Sequence, residues 1–507
     1  AASGSAAQQG AVGAAFVSFR LGMQRRCNQS QTRPSARVQS LPFILYAAGC
    51  IAGGLSLWVR TTFGDVIVEQ ILYHVVLAKN AAVHMSGVFA LEFTVEVLAI
   101  PLLVATLAAW LHAATQRRTG GAAKVHCVAP PLALMLGAGM LVNQVPVVSY
   151  AAAWLSPDGF ATAYVDPARV LLPPGPRRRN LVLVYAESLE RTFTDKQVFG
   201  TDLLAPLSAV GGKPLADYRQ VHGTGWTMGG IVGTQCGVPL LVSTPWDVSG
   251  GREGSRAFLG GATCLGDLLQ AQGYRNVFLG GAALSFAGKG AFLRTHGYQE
   301  VWGQLEWHRA GVGRHDVNAW GLTDHALLLQ ARARLDNLRA SGEPFNLTIL
   351  TMDMHGPQGF LSDGCARRGA SDYRGIVECT GHQLAEFARH VVDQGYLNDT
   401  VLVIVGDHLM HGNPFGGAMK AAAPQRRLYG LVLAEPIPLL RSGAIVPFDL
   451  LPTLLELLGT PVPGGRLALG LSAVQAEGRP GAQLPDLDLR AVGTSASYRR
   501  LWQHPPP

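Results

Sequence analysis

The chain has 507 residues, of which 48% are hydrophobic and only 15% are charged, and its formal net charge is +7. Soluble enzymes carry about 25% charged residues, so this composition argues against an ordinary soluble enzyme. A basic surplus suits nucleic acid or anionic lipid, but the sequence has neither zinc-finger spacing nor a basic helix, so we expect no nucleic-acid partner.

The first third of the chain contains three long apolar runs. They cover residues 42–59, 97–114 and 128–154. Each is close to the roughly 20 residues that a membrane-spanning helix needs. Buried core helices of a soluble domain are the alternative, but three uncharged runs in one block favour membrane spans. We therefore expect a tail over 1–40, a transmembrane region with about three helices over 41–160, and a lipid bilayer as partner.

Basic residues around these runs predict the orientation of the chain. Five arginines between Arg20 and Arg37 precede the first run, and Arg117, Arg118 and Lys124 separate the second from the third. Basic flanks remain in the cytoplasm, so three spans place everything after Trp154 outside it. The basic run 177–179 opposes this orientation, but it lies beyond the range over which the rule is counted.

A different pattern begins after a proline-containing linker over 161–179. Short apolar runs rich in Val, Ile and Leu alternate with amphipathic stretches, which predicts an α/β domain with a mainly parallel central sheet. We place this domain at 180–475 and a C-terminal tail at 476–507. The predicted strands are 180–186, 276–281, 345–353 and 401–407, and the predicted helices include 264–272 and 381–394.

Acidic and imidazole side chains follow three of these strands. Ligands gather at the carboxyl ends of parallel strands, and a mixed oxygen and nitrogen set suits Mn²⁺ or Zn²⁺. Such a cation would activate a threonine hydroxyl in the glycine-rich segment 223–230. A helix cap or an ordinary turn would explain each residue by itself. The residues concerned are Glu187, His355, Asp407 and His408 at the strand ends, and Thr224 and Thr227 in the segment.

Four strings resemble a known family: NLVLVYAESLERT, GTGWTMGGIVGTQCGVPL, LSFAGKGAFLRTHGY and VGDHL, beginning at residues 180, 223, 284 and 405. They look like phosphoglycerol transferase I and, more distantly, lipoteichoic acid synthase, both of the alkaline phosphatase and sulfatase superfamily. The likeness covers roughly 180–460, and 63–75 also looks familial. It implies transfer of phosphoglycerol from phosphatidylglycerol to periplasmic glucans, by a multi-pass protein of the bacterial inner membrane whose catalytic domain is periplasmic.

The resemblance also implies roles for individual residues. The nucleophile falls on Thr227, which would form a covalent intermediate and also bind the metal. Mn²⁺, or another divalent ion such as Zn²⁺ or Mg²⁺, would be held by Glu187, Asp407 and His408. Substrate-binding roles fall on His355 and, by a weaker match, on Lys289.

Some nearby positions depart from the family or receive no role. The aromatic substrate contact of the lipoteichoic relatives appears as Ala287, so the glycerol pocket is expected to differ. We expect His411 to be a local surface histidine rather than a second metal ligand. Asn413 receives no role.

Three other functions remain possible at this level. A sulfatase needs a cysteine or serine that becomes formylglycine, whereas Thr227 is followed by Met228. A phosphoethanolamine transferase usually has more metal ligands after its Asp–His pair than the string LMHGNP offers. A non-catalytic, membrane-tethered glucan-binding protein would not need the complete set of metal-site residues. The motifs leave the acceptor itself open.

Four of the seven cysteines lie in the predicted α/β domain. An even number outside the cytoplasm suggests disulfides, and pairing by proximity in sequence gives Cys236 with Cys264 and Cys365 with Cys379. Free buried cysteines are the alternative.

Overall fold

The protein is described by a computed structural model over residues 36–81, 87–118, 125–172, 178–242, 257–312, 316–318, 320–356, 358–412, 414–415, 417–422, 425–475 and 487–503. The chain divides into two compact units. The first, which we call the apolar unit, comprises Ala1–Thr61 and Ser86–Pro146. The second, the α/β unit, comprises Thr62–Met85 and Val147–Pro507. Residues 62–85, expected within the transmembrane region, therefore group with the α/β unit.

The described part of the apolar unit is helical. Its first helix contains Gly49, and a side chain added at Gly137 would lie 1.9 Å from the Gly49 carbonyl oxygen, so these helices approach closely at a glycine pair. Large apolar side chains face outward, including Leu103 at 70% and Trp110 at 65% exposure, as in a surface that lipid covers. The helices are α1 (Ala36–Phe63), α3 (Gly87–Phe93) continuing through a π-helical stretch (Thr94–Ala99) into α4 (Ile100–Arg118), and α5 (Val125–Gln144); α2 (Val68–Ala81) belongs to the other unit.

Two stretches of the described chain, Ser40–Phe63 and Ala90–Arg118, are long and apolar enough to cross a membrane. Val128–Gln144 and Val147–Ala153 would form a third span only if this bent pair crosses as one. The three runs found in the sequence thus correspond to two spans or three. The number decides on which side of the membrane the α/β unit lies.

We predict that the α/β unit lies outside the cytoplasm. A reporter active only in the periplasm should be active when fused after Pro507, because three spans with basic cytoplasmic flanks export everything after Trp154. The matched control is the same reporter fused after Arg118, which should be inactive, while a cytoplasmic reporter there should work. A cytoplasmic reporter that is active after Pro507 would overturn this topology.

The α/β unit is built on a seven-stranded sheet, whose strands in spatial order are β2 (Lys213–Pro214), β9 (Gly430–Leu433), β8 (Thr400–Gly406), β1 (Asn180–Ala186), β7 (Phe345–Leu350), β3 (Arg275–Gly280) and β4 (Glu300–Trp302). The strands β8, β1, β7, β3 and β4 run parallel, whereas β9 and β2 add an antiparallel edge. The expected mainly parallel α/β sheet is confirmed. Two small hairpins lie outside this sheet. They are formed by β5 (Val317–Asn318) with β6 (Gly321–Leu322), and by β10 (Arg466–Leu467) with β11 (Gly470–Leu471).

Helices cover both faces of this sheet, which is why its strands read as continuous apolar runs. Alternate residues of β1 enter two separate cores, with Leu183 on one face and Val184 on the other, both fully buried. The helices are α6 (Val147–Ala153), α7 (Phe160–Ala163), α8 (Lys196–Phe199), α9 (Ala205–Ser208), α10 (Thr227–Cys236), α11 (Leu265–Ala271), α12 (Lys289–Thr295), α13 (Gln304–Arg309), α14 (Asp324–Ser341), α15 (Asp363–Arg367), α16 (Tyr373–Asp393), α17 (Gly417–Ala421), α18 (Leu450–Leu457), α19 (Leu489–Val492) and α20 (Ala496–Arg500).

Two disulfides join the cysteines in the pairs suggested by sequence order, Cys236 with Cys264 and Cys365 with Cys379. The first ties the end of α10 to the residue before α11, and the second ties α15 to α16. All four cysteines are buried.

We predict both bonds in protein isolated from its native compartment. Non-reducing peptide mapping should recover the two linked peptide pairs, and replacing Cys365 and Cys379 together by alanine should cost roughly 2–5 kcal/mol of unfolding free energy. Denaturant titration of this double variant, beside Cys50→Ala as the control, checks the cost. Four free thiols in the native protein would contradict the pairing.

Candidate metal centre

Three neighbouring strands bring the predicted site residues to one edge of the sheet. The central strand β1 is followed directly by Glu187, and its neighbour β8 by Asp407 and His408. His355 lies shortly beyond β7, the other neighbour of β1. Parallel strands in register end together, so residues separated by 220 positions in sequence meet at this edge.

Glu187, Asp407 and His408 form a compact buried cluster. One potential ligand atom from each lies within 4.8 Å of the others, and the three residues are at most 2% exposed. His408 Nε2 lies 3.3 Å from Glu187 Oε1 and 3.5 Å from Asp407 Oδ2. Two carboxylates and an imidazole at this separation have the composition of a divalent-metal site.

The hydrogen bonds around the cluster leave its inner atoms available to a cation. His408 Nδ1 lies 2.9 Å from the Leu409 carbonyl oxygen, which can only accept, so Nδ1 carries a hydrogen and Nε2 faces the carboxylates. Asp407 Oδ1 accepts from the amides of Ser188 and His408 at 2.8 and 2.9 Å. Asp407 Oδ2 is buried and has no hydrogen-bond partner among the described residues. An orphaned buried carboxylate oxygen fits a metal ligand.

The cluster is electrostatically strained without a cation. Burial and the charge of Glu187 raise the pKa of Asp407. Burial opposes the charged form of His408, but the carboxylates of Asp407 and Glu187 outweigh it and raise the pKa of His408 to about 10. Burial likewise opposes ionisation of Glu187, yet His408 lowers its pKa. These shifts are those expected where two buried carboxylates lie beside an imidazole, and a divalent cation would balance their charge.

Thr227 lies beside this cluster at the start of α10. Its Oγ1 is 3.4 Å from Glu187 Oε2 and 3.5 Å from His408 Nε2. A side chain at Gly230 would meet the Asp407 carbonyl oxygen at 2.0 Å, so only glycine lets the first turn of α10 approach so closely. The N-terminus of a helix favours a phosphate group. The threonine hydroxyl thus lies between the acidic cluster and a site suited to an anion.

Thr224, the other threonine of the glycine-rich segment, has a different environment. It is fully buried, donates to the Val221 carbonyl oxygen at 2.8 Å and accepts from the Val221 amide at 3.1 Å. Its hydroxyl closes the turn before α10. Among the described residues, it makes no hydrogen bond with the metal cluster.

Lys289 and His355 lie around the cluster without touching it. Lys289 begins α12, is 4% exposed, and its pKa is lowered to about 8 by burial, against the opposing charge of Glu187. No described residue makes a hydrogen bond or ion pair with its ammonium group. The His355 ring packs against that of Trp320, with centroids 4.7 Å apart and the ring planes tilted by 35°. Both residues act electrostatically on Glu187, but no hydrogen bond in the described part of the chain joins either to the cluster.

The loops that carry Trp320 and His355 are braced by residues that sequence reasoning missed. Asp324 accepts from the amides of Met352 and Asp353 at 2.7 and 3.0 Å, and Asp353 accepts from the Asp324 amide at 3.2 Å. Asp353 ends the predicted strand 345–353, two residues before His355, a signal that could have found it. Nothing in the sequence pattern marks Trp320.

Two polar side chains hold the backbone of the loop that follows His408. Gln220 accepts from the Leu409 amide at 2.7 Å, and Glu190, ion-paired with Arg426, accepts from the Met410 amide at 2.9 Å. These contacts fix the backbone that directly follows the metal ligands.

His411, expected to be a local surface histidine rather than a second metal ligand, lies outside the metal cluster but is less exposed than that expectation implies. Its ring is only partly exposed and lies 4.7 Å from the ring of His408. Its Nδ1 lies 2.8 Å from the Phe63 carbonyl oxygen. Packing against a distant segment, which the local sequence does not reveal, accounts for the difference. Asn413 lies outside the described residues.

The chain is similar to several known proteins. The Sulfatase family model matches residues 249–460, a range that contains Lys289, His355, Asp407 and His408 but neither Glu187 nor Thr227. Over these residues the chain is similar to sulfatases, and the expected sulfatase-like α/β fold is confirmed.

The chain is also homologous to curated proteins named phosphoglycerol transferase I. It is 34% identical over 447 residues to that of Xanthomonas euvesicatoria pv. vesicatoria (strain 85-10), covering 85% of this chain and 61% of the relative. It is 36% identical over 266 residues to that of Escherichia coli O127:H6 (strain E2348/69 / EPEC), covering 51% of this chain and 34% of the relative. The resemblance seen in the sequence is confirmed, and the chain spans about six-tenths or less of these relatives' length.

Solved structures with a similar fold are more distant. A protein of the alkaline phosphatase superfamily from Vibrio parahaemolyticus is 20% identical with a TM-score of 0.45, covering 62% of this chain and 74% of its own. The lipoteichoic acid synthase LtaP from Listeria monocytogenes is 15% identical with a TM-score of 0.47, covering 66% and 95%.

Proposed function

We propose that this protein transfers phosphoglycerol from phosphatidylglycerol to periplasmic glucans through a covalent intermediate on Thr227, with release of diacylglycerol. The observation that carries the proposal is the position of the Thr227 hydroxyl, 3.4 Å from Glu187 and 3.5 Å from His408 at a helix N-terminus. The homology to phosphoglycerol transferase I supports the donor and the transferred group.

Glu187, Asp407, His408 and Thr227 would hold the metal ion, for which we propose Mn²⁺. A bound divalent ion supplies Lewis-acid neutralisation of phosphoryl charge and lowers the pKa of a nearby hydroxyl. Zn²⁺ and Mg²⁺ are the alternatives, because the ligand set of two carboxylates, an imidazole and a hydroxyl accommodates a range of divalent ions.

The protein groups account for both transfer steps. In the first, Thr227 Oγ1 forms a bond to phosphorus, the bond from phosphorus to the diacylglycerol oxygen breaks, and the threonine proton ends on that oxygen. In the second, an acceptor hydroxyl bonds to phosphorus and Thr227 Oγ1 leaves with the acceptor's proton. Glu187 Oε2 accepts the hydrogen bond of the Thr227 hydroxyl, and His355 orients the glycerophosphate or carries a proton.

Lys289 has the properties of a phosphate contact in this scheme. A buried ammonium without a protein partner is costly, and a phosphodiester would supply the missing negative charge. Apolar helices in the same chain suit a lipid donor, because enzyme and lipid then meet within one bilayer. The multi-pass, inner-membrane placement forms part of the same proposal.

The direct test uses purified full chain in detergent with phosphatidylglycerol labelled in its headgroup, Mn²⁺ and a periplasmic glucan fraction. Diacylglycerol release and appearance of label in the glucan should occur together. Phosphatidylethanolamine in place of the donor provides the control. Preferential use of phosphatidylethanolamine would favour a phosphoethanolamine transferase, and release without transfer to glucan would refute the proposed acceptor.

A further inference from the structure

Residues 62–75, which we call the docking segment, begin at the end of the first apolar stretch, Ser40–Phe63, but pack within the α/β unit. The segment contains the first half of α2. Its contacts fall on residues that flank the proposed catalytic groups. The sequence does not predict these contacts, since the partner residues are 150 to 350 positions away along the chain.

The firmest of these contacts involves Tyr73. Its ring is fully buried, and its hydroxyl donates to the main-chain carbonyl oxygen of Ala287. Ala287 and the following Gly288 both have left-handed backbone conformations, with φ of 54° and 73°. An alanine adopts this left-handed conformation at a cost in free energy, so a hydrogen bond from outside the turn helps to hold it. The next residue is Lys289, the first of α12.

Two further contacts bring the docking segment to the other side of the site. The rings of Tyr73 and His74 lie 6.1 and 6.3 Å from that of Trp226, the residue before Thr227. The Phe63 carbonyl oxygen lies 2.8 Å from Nδ1 of His411, whose ring faces His408. The segment therefore touches the chain next to Lys289, Thr227 and His408.

We propose that the docking segment is part of the active site and that Tyr73 is a positioning residue, holding the turn that presents Lys289 to the phosphate of the donor. The inference rests on the proposed function for the identity of that phosphate. The hydrogen bond between Tyr73 and Ala287 does not depend on that function. Without the Tyr73 hydroxyl, the left-handed turn at Ala287 loses this hydrogen bond, and Lys289 is no longer held in its buried position.

Tyr73→Phe removes this hydroxyl while keeping the ring that packs on Trp226. We expect kcat/KM for phosphatidylglycerol to fall about tenfold, because a buried carbonyl oxygen loses its donor and Lys289 shifts. The matched control is Tyr274→Phe: Tyr274 is also buried and donates to a main-chain carbonyl oxygen, that of Arg179 at 2.8 Å, away from the site. Its kcat/KM should stay within about twofold of wild type.

A double-mutant cycle separates positioning from general destabilisation. Lys289→Ala should lower kcat/KM, and adding Tyr73→Phe to it should cause no further loss, since the residue to be positioned is gone. Multiplied losses would overturn the proposal, because Tyr73 would then act independently of Lys289.

A readout that needs no turnover accompanies the kinetics. Mass spectrometry after brief treatment with an amine acylating reagent should show Lys289 protected in wild type and in Tyr274→Phe, and modified several-fold faster in Tyr73→Phe. Equal protection in all three proteins would overturn the positioning role. Absence of diacylglycerol release from wild type, with the labelling difference intact, would refute the transferase proposal while leaving the tie between Tyr73 and Lys289 supported.

Discussion

Replacing Thr227 with alanine is expected to lower diacylglycerol release from phosphatidylglycerol by at least about 10³-fold, because the attacking oxygen is removed. Direct hydrolysis by water would need no threonine, whereas transfer to a sugar hydroxyl in the presence of abundant water favours a covalent intermediate in a shielded site. The measurement is the rate of release by the full chain at saturating donor and metal.

Two controls make this result specific. Metal content should stay near wild type, since Glu187, Asp407 and His408 remain, and the thermal midpoint should change little. Thr224→Ala should keep measurable turnover, because the Thr224 hydroxyl serves the turn at Val221. Its loss should appear mainly as roughly 1–3 kcal/mol of stability, the cost of unpaired buried groups.

Trapping the intermediate identifies the nucleophile independently of rates. Wild-type protein quenched during turnover without acceptor should gain the mass of one glycerophosphate, on the peptide that contains Thr227. An adduct on another peptide, or wild-type rates in Thr227→Ala, would show that the wrong nucleophile has been assigned.

The sheet was predictable because its central strands are buried on both faces. The run 180–186 coincides with β1, and the predicted 276–281 differs from β3 by one residue at each end. The helix expected over 381–394 begins earlier, at Tyr373. The side chain of Asp372 accepts from the Gly375 amide at 2.8 Å and caps this start, a local signal that the apolar periodicity alone did not convey.

The centre of the site was also accessible from sequence, because residues at the carboxyl ends of neighbouring parallel strands converge. Glu187, Asp407 and His408 needed only that rule and the strand positions. The packing of Trp320 against His355, the packing of His411 and the docking segment depend on contacts between remote parts of the chain. Hydrophobic periodicity describes one element at a time and carries no information on such contacts.

Replacing Asp407 with asparagine is expected to weaken divalent-metal binding by more than about 100-fold and to abolish diacylglycerol release with it. The substitution keeps the size of the side chain and its acceptor oxygen toward Ser188. It removes the negative charge of the carboxylate, whose second oxygen, Oδ2, has no hydrogen-bond partner among the described residues. Exhaustive chelation of wild type should abolish release in the same way, and Mn²⁺ should restore it.

The matched control is Asp449→Asn. Asp449 is a fully buried acid of the same unit that pairs with Arg441, and it lies outside the metal cluster. Its replacement should lower stability but leave metal stoichiometry unchanged. Release that persists in chelated wild type, with no metal detectable by mass spectrometry, would exclude a metal-dependent reaction.

The pH dependence of binding adds a second test of the same cluster. Without metal, the carboxylates of Asp407 and Glu187 outweigh burial and raise the pKa of His408 to about 10, so His408 is protonated at neutral pH. A metal ligand must be unprotonated, so above the pKa of Asp407, which is raised to about 7, each ion bound should release about one proton from His408, and affinity should rise about tenfold per pH unit between about pH 8 and 9. Calorimetry in two buffers of different ionisation enthalpy measures the released protons. An affinity independent of pH over this range would mean that His408 is already neutral or does not bind the metal.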